Sequence, residues 1–185
     1  MSFDFKQNDL FKYLTSNNIV VKQIDEIEII EPKNINLNLQ DGNSSFEKLL
    51  IKNLNKDSTY FKLNPETSTF LQPNGKKVEN IILEYSKGKS NIILVELKSK
   101  KITGKTILDI KEKFRNSLNW LHLLLSLEHT TENFEVFGII IAQKKLEWNE
   151  VADLDILLST VVRYKKKSFY TQNKYLTINW SDIIN

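Results

Sequence analysis

The chain has 185 residues, of which 41% are hydrophobic, and this length and composition suit one domain, residues 1–185, with a packed core. Cysteine is absent, which excludes disulfides, a thiolate nucleophile and cysteine-ligated zinc. The net charge of +3 permits an anionic partner without requiring one, and the lack of a signal-peptide pattern or a long apolar segment leads us to expect a cytoplasmic protein without membrane contact.

The first part of the chain mixes short helical and extended patterns. These patterns predict a helix at residues 9–16, strands at 19–23 and 27–30, and an alternating stretch at Ile35, Leu37 and Leu39. Phe46, Leu49, Leu50 and Leu54 then follow helical spacing after a serine that suits an N-cap. This pattern predicts a helix that carries Glu47 in its first turn.

The second part contains the stronger patterns. Extended segments are predicted at residues 59–63, 77–85, 91–98, 134–142, 160–164 and 175–179, and the second and third of them form a hairpin. Apolar residues recur at helical spacing over residues 104–128, which predicts a long amphipathic helix. The expected fold is α/β, with a mixed sheet flanked by helices.

A charged pair at the end of the strand over residues 91–98 is the most informative feature. Side chains two residues apart share a face of a strand, so Ile92, Leu94, Glu96 and Lys98 form one row. Taking an unpaired charge out of water costs several kcal/mol. Glu96 and Lys98 therefore require a metal ion, each other or an open cleft.

The hairpin places a second carboxylate near Glu96. If residues 86–89 form a four-residue loop, Glu79 lies directly opposite Glu96, with the Cβ atoms about 5 Å apart. Glu84 would instead face Asn91, too far along the strand to share a metal ion with Glu96. Glu79 is therefore the better partner, provided that this register holds.

An acidic residue near the start of one strand, followed by Glu-X-Lys in the next, resembles the PD-(D/E)XK nuclease superfamily. Glu96-Leu97-Lys98 matches the (D/E)XK element, and Glu79 stands where the family usually has Asp. Glu47 matches the helical Glu that many members carry. The resemblance covers residues 44–142 and implies a single-domain, restriction-endonuclease-like fold with a mixed β-sheet flanked by α-helices.

The resemblance also implies an activity. Glu79 and Glu96 would bind Mg²⁺ or Mn²⁺, Lys98 would orient or deprotonate the attacking water, and Glu47 would support the site. The implied reaction is phosphodiester hydrolysis, and the resemblance favours DNA over RNA and cleavage within the strand. Two alternatives stay open: a non-catalytic nucleic-acid- or protein-binding module on a degenerate nuclease fold, and a purely structural interaction protein.

Further cationic residues are candidates for binding nucleic acid. Lys111 and Arg115 lie one turn apart on the long helix and could line the cleft behind Glu96, although ordinary surface charge explains them better. A later segment combines cations with aromatic residues, as phosphate-binding surfaces do, and contains Arg163, Lys165, Lys166 and Lys167. We expect DNA as the partner, with a homodimer or a partner subunit supplying target recognition.

Overall fold

A computed structural model describes residues 20–23, 26–30, 47–66, 75–86, 89–98, 104–127, 134–142, 164–171 and 175–185. These residues contain the strands β1 Val20–Gln23, β2 Ile27–Ile30, β3 Lys48–Lys52, β4 Thr59–Leu63, β5 Asn80–Tyr85, β6 Ser90–Lys98, β7 Phe134–Ala142, β8 Tyr164–Tyr170 and β9 Tyr175–Asn179. They also contain the helices α1 Gly104–Leu127 and α2 Trp180–Ile184. The described part of the chain is thus mixed α/β and consists mostly of strands.

The strands form two sheets. The larger sheet has the order β1-β4-β5-β6-β7-β8, in which the first four strands are antiparallel and β6, β7 and β8 are parallel. Helix α1 connects β6 to its parallel neighbour β7. The smaller sheet has the order β2-β3-β9. The predicted mixed sheet is confirmed.

The larger sheet is covered on both faces because its central strands are apolar on both sides. Ile92 and Leu94 of β6 pack in one core with α1, whereas Ile93 and Val95 pack in another core with the smaller sheet and α2. Burial on both faces is typical of strands inside an α/β sheet. Glu96 continues the row of Ile92 and Leu94, so it lies on the α1 side.

The helix predicted around Glu47 is wrong, because residues 48–52 form β3. Leu49 and Ile51 are fully buried while their neighbours are not, which is the two-residue period of a strand. Strand β3 pairs with β2 on one side and with β9 on the other. These distant partners override the local helical spacing of the leucines.

Most other predicted elements are confirmed within one to three residues, including the long helix, which ends at Leu127. The strand predicted at residues 160–164 is an exception: β8 begins at Tyr164 and continues through the cationic segment, because it pairs with β7 along its whole length. The predictions for residues 9–16, Ile35, Leu37 and Leu39 fall outside the described residues.

Candidate active site

The register predicted for the hairpin is confirmed along β5. Strands β5 and β6 pair from Glu84 with Asn91 to Asn80 with Val95, so the next position along the hairpin sets Glu79 opposite Glu96. The Oε2 atom of Glu79 accepts a hydrogen bond from the backbone N–H of Leu97 at 3.0 Å. This bond holds the Glu79 carboxylate beside β6 just beyond the last backbone pair.

Glu96 is a fully buried carboxylate with two ammonium partners. Its Oε1 atom lies 2.5 Å from Nζ of Lys98 and 2.7 Å from Nζ of Lys113 on α1. Its Oε2 atom has no hydrogen-bond partner among the described residues. A buried carboxylate oxygen without a partner is costly, which marks this atom as a place for a ligand.

Nearby acidic side chains shift the pKa of Lys113. Burial lowers the pKa of this amine, but the neighbouring Glu96 carboxylate raises it, with smaller contributions from Glu66 and Glu79, and the net shift is upward. Lys113 is therefore a protonated, buried cation. The contact of Lys113 with Glu96 places the Glu96 carboxylate on the α1 side of the sheet.

The segment before Glu79 is docked onto α1 by polar contacts. Ser117 Oγ accepts a hydrogen bond from the backbone N–H of Val78 at 2.8 Å, and Asn116 Nδ2 donates one to the backbone oxygen of Lys76 at 3.1 Å. Lys76 also forms an ion pair with Asp109. Its hydrogen bond lowers the pKa of the Asp109 carboxyl, against the opposing effect of burial. Helix α1 thus positions Glu79.

Gly75 starts this docked segment, and replacing it should loosen the site. Its φ is +119°, and an added Cβ would lie 2.3 Å from Nδ2 of Asn116. We expect Gly75→Ala to lower the free energy of unfolding by about 1–3 kcal/mol, from clash and backbone strain together. Urea denaturation measures this loss.

The Asn116→Ala background supplies the control for Gly75→Ala, because it removes the clashing amide and leaves the backbone strain. We expect the Gly75→Ala loss to be smaller in that background. Equal losses in both backgrounds would show that the close approach to Asn116 contributes nothing.

Lys113 is the main residue of the candidate site that sequence analysis missed. It lies on the buried stripe of α1 together with Ile110, Phe114 and Ser117, at spacings of three and four residues. A lysine on such a stripe requires a buried anion. That requirement is the signal that could have led from Lys113 to Glu96.

Glu47 and the predicted helix cations do not join Glu96. Glu47 precedes β3 in the smaller sheet, on the other side of the larger sheet, where it accepts a hydrogen bond from the Tyr175 hydroxyl at 3.3 Å. Lys111 is buried and Arg115 is exposed. Burial leaves Lys111 little surface for a phosphate, whereas Arg115 stays a candidate.

The cationic residues after position 163 lie in β8. Lys165 and Lys166 lie next to Phe137 and Gly138 of β7. Lys167 Nζ donates a hydrogen bond to the backbone oxygen of Asp182 on α2 at 2.9 Å. Lys167 therefore links β8 to α2, on the sheet face opposite to Glu96. Arg163 is outside the described residues.

Glu84 belongs to a separate polar cluster on the face that the smaller sheet covers. It accepts hydrogen bonds from the Tyr60 hydroxyl at 2.6 Å and from the Asn91 side-chain amide. The Tyr60 ring packs edge-on against Trp180, with ring centroids 5.0 Å apart. Glu84 therefore helps to hold the Tyr60 ring against Trp180 of α2. It does not share the site of Glu96.

The Tyr60 cluster predicts a pH dependence of stability. Burial, and then the hydrogen bond to Glu84, raise the pKa of Tyr60 well above its usual value. A free tyrosine ionises near pH 10, so above that pH the unfolded chain loses a proton that the folded chain keeps. Tyr60 should therefore lower the free energy of unfolding by up to about 1.4 kcal/mol for each pH unit above 10. The free energy of unfolding of Tyr60→Phe should fall less steeply with pH. Urea denaturation between pH 9 and 11.5 measures the slopes, and parallel slopes would contradict the assignment.

The donor set at Glu79 and Glu96 fits a hard divalent ion. Carboxylate oxygens are the ligands that Mg²⁺ prefers, and because this ion keeps several waters, two carboxylates suffice. Oε2 of Glu96 supplies an oxygen that no described side chain uses. The described residues contain no group of three or more His, Cys, Asp or Glu side chains arranged to hold a metal.

Comparison with known proteins gives no match to this chain among family models, curated proteins or solved structures. Neither helix of the described ranges is long and apolar enough to cross a bilayer. The residues of the site are therefore the basis for assigning a function.

Proposed function

We propose that this protein is a metal-dependent nuclease of the PD-(D/E)XK type that hydrolyses phosphodiester bonds, in DNA rather than RNA. One observation carries the proposal: the register of β5 and β6 continues to Glu79, one residue before β5, at the position opposite Glu96, and Lys98 contacts Glu96. Two carboxylates and an amine at one edge of a sheet suit phosphodiester hydrolysis, which requires a cation, a water and charge stabilisation.

The surrounding elements support a restriction-endonuclease-like fold. An antiparallel run of β4, β5 and β6 leads into α1, and α1 leads into β7, which is parallel to β6. The residues of the motif lie where the hairpin of β5 and β6 meets α1. This order agrees with the resemblance over residues 44–142, whereas the predicted helix around Glu47 has no counterpart.

Each residue of the site has a chemical task in this proposal. A bound Mg²⁺ or Mn²⁺ would polarise the phosphate and lower the pKa of the attacking water. Glu79 and Glu96 would hold the ion through carboxylate oxygens. Lys98, at the end of β6 with 18% of its side chain exposed, is within reach of an incoming phosphate and offsets its negative charge. The ion pair between Glu96 and Lys113 joins the end of β6 to α1, and Lys98 contacts the same carboxylate oxygen.

A binding module without catalysis is the second candidate, and the pairing of Glu96 favours it. Two ammonium groups already contact Oε1 of this carboxylate. They weaken the attraction between Glu96 and a divalent ion, because like charges repel at short range. This candidate predicts salt-dependent binding of DNA without cleavage.

Cleavage assays separate the two candidates. Supercoiled plasmid and single-stranded DNA are incubated with Mg²⁺, Mn²⁺ or EDTA and with the wild type, Lys98→Ala or Lys89→Ala. Lys89 is the matched control, because it forms an exposed ion pair with Glu135 at the other end of β6. Metal-dependent nicking that only Lys98→Ala loses supports the nuclease. DNA binding without nicking supports the binding module.

Target recognition by a second subunit stays a prediction. Homodimerisation, or association with a partner that reads the sequence, would add contacts that Arg115 and β8 do not supply alone. Light scattering after size exclusion, with and without a short DNA duplex, measures the mass. A monomeric mass in both conditions, together with cleavage, would contradict this prediction.

A further inference from the structure

Two lysines contact Glu96, although one would neutralise its charge. The two lysines differ in where they lie and in how exposed their side chains are. Lys113 projects from the middle of α1, and its side chain is 9% exposed. Lys98 is the last residue of β6, and its side chain is 18% exposed. Both contact the same oxygen of Glu96, so Lys113 is the more enclosed partner and Lys98 is the more accessible one.

We infer that Lys113 is a positioning residue that stays on Glu96 as a permanent counter-ion, so that Lys98 can leave Oε1 and bind the phosphate of the substrate. This inference rests on the proposed function, because it assigns the phosphate to Lys98. It explains why a site that needs one catalytic lysine contains two.

An unpaired charge inside a protein is costly. Glu96 is fully buried, so a departure of its only cation would leave a carboxylate without compensation in the protein interior. With Lys113 in place, Oε1 keeps a partner at 2.7 Å when Lys98 moves. Lys113 itself is buried on α1, as are Ile110 and Phe114 on the same helix. Lys98 is therefore the lysine that leaves Glu96 for the phosphate.

The contacts of the two lysines also make the two oxygens of Glu96 different. Both ammonium groups contact Oε1, while Oε2 has no partner among the described residues. Oε2 is therefore the Glu96 oxygen that would be left for a divalent cation, and Lys98 is the group that would take the phosphate. A cation and an anion held side by side in this way neutralise each other, which favours binding of both.

Lysine ammonium groups can be observed directly in ¹⁵N–¹H correlation spectra, with inorganic phosphate as the probe and Lys98→Arg and Lys113→Arg for assignment. We expect a resolved Lys113 signal that stays in place as phosphate is added, because burial slows proton exchange with water. We expect the Lys98 signal to move. A moving Lys113 signal, or a Lys98 signal that does not move, would overturn the inference.

Variants of Lys113 test the positioning role. In Lys113→Met, Lys98 is the only cation left on Glu96, so half-maximal displacement of its signal should require about tenfold more phosphate, or about 1.4 kcal/mol. Lys113→Arg should restore the wild-type response. Lys113→Gln serves if Lys113→Met does not fold, and an unchanged phosphate response in the variant used would overturn the inference.

These spectra need no turnover, so the inference and the proposed function can fail separately. Expected spectra without cleavage would remove the nuclease and keep the division of roles between the two lysines. Cleavage with displacement of both ammonium signals would keep the nuclease and remove that division.

Discussion

Glu96→Gln should lower kcat/KM for metal-dependent DNA cleavage by about 10³-fold or more, on the order of 4 kcal/mol of transition-state stabilisation. Glutamine keeps the size of the side chain, but it lacks the negative charge that would hold a divalent ion beside Glu79. The loss should persist at saturating DNA, because the ion acts in the chemical step.

Glu135→Gln is the matched control for this substitution. Glu135 lies at the start of β7, away from the site, and forms an exposed ion pair with Lys89. We expect its activity to stay within about twofold of the wild type, since exposed pairs contribute little. Both variants are assayed where circular dichroism shows them folded. Equal activity in Glu96→Gln and Glu135→Gln would remove Glu96 from the mechanism.

Lys113→Met should destabilise the fold by about 3 kcal/mol, because it removes one cation from a fully buried carboxylate. This value lies at the lower end of the range for broken buried ion pairs, since Lys98 still contacts the same oxygen. Urea denaturation at pH 7 measures the loss. Lys89→Met should cost about 1 kcal/mol or less.

A double-mutant cycle isolates the pair of Lys113 and Glu96. Once Glu96 is glutamine, the Lys113→Met change should cost much less than in the wild type, because the buried negative charge is gone. The difference between the two costs is the coupling energy of the pair. If Lys113→Met lowers the free energy of unfolding no more than Lys89→Met does, and this loss does not depend on Glu96, Lys113 is an ordinary surface cation.

The sequence predicts the register of the hairpin from the length of its loop. With residues 86–89 as the loop, the predicted pairing agrees with the pairs from Glu84 with Asn91 to Asn80 with Val95, and its next position sets Glu79 opposite Glu96. Burial does not decide between registers here, because β6 is buried on both faces. Helix α1 is equally predictable, since its apolar spacing extends over 24 residues.

Distant partners explain what the sequence does not predict. Leu49 fits a helix with Phe46 and Leu50 as well as a strand with Ile51, and the choice depends on β9, more than a hundred residues away. Lys113 resembles a surface residue until its partner Glu96, 17 residues earlier, is placed beneath α1. In β8, hydrogen bonds to β7 form a strand from a cationic segment.

Binding of Mn²⁺, followed by electron paramagnetic resonance of the free ion, tests the central claim that Glu79 and Glu96 hold one divalent cation. The wild type is compared with Glu79→Gln, Glu96→Gln and Glu47→Gln, the last of which changes a carboxylate in the other sheet. We expect one site that weakens at least about tenfold in the first two variants and is unchanged in Glu47→Gln. A wild type that binds no Mn²⁺, or equal binding in all four proteins, would contradict the claim.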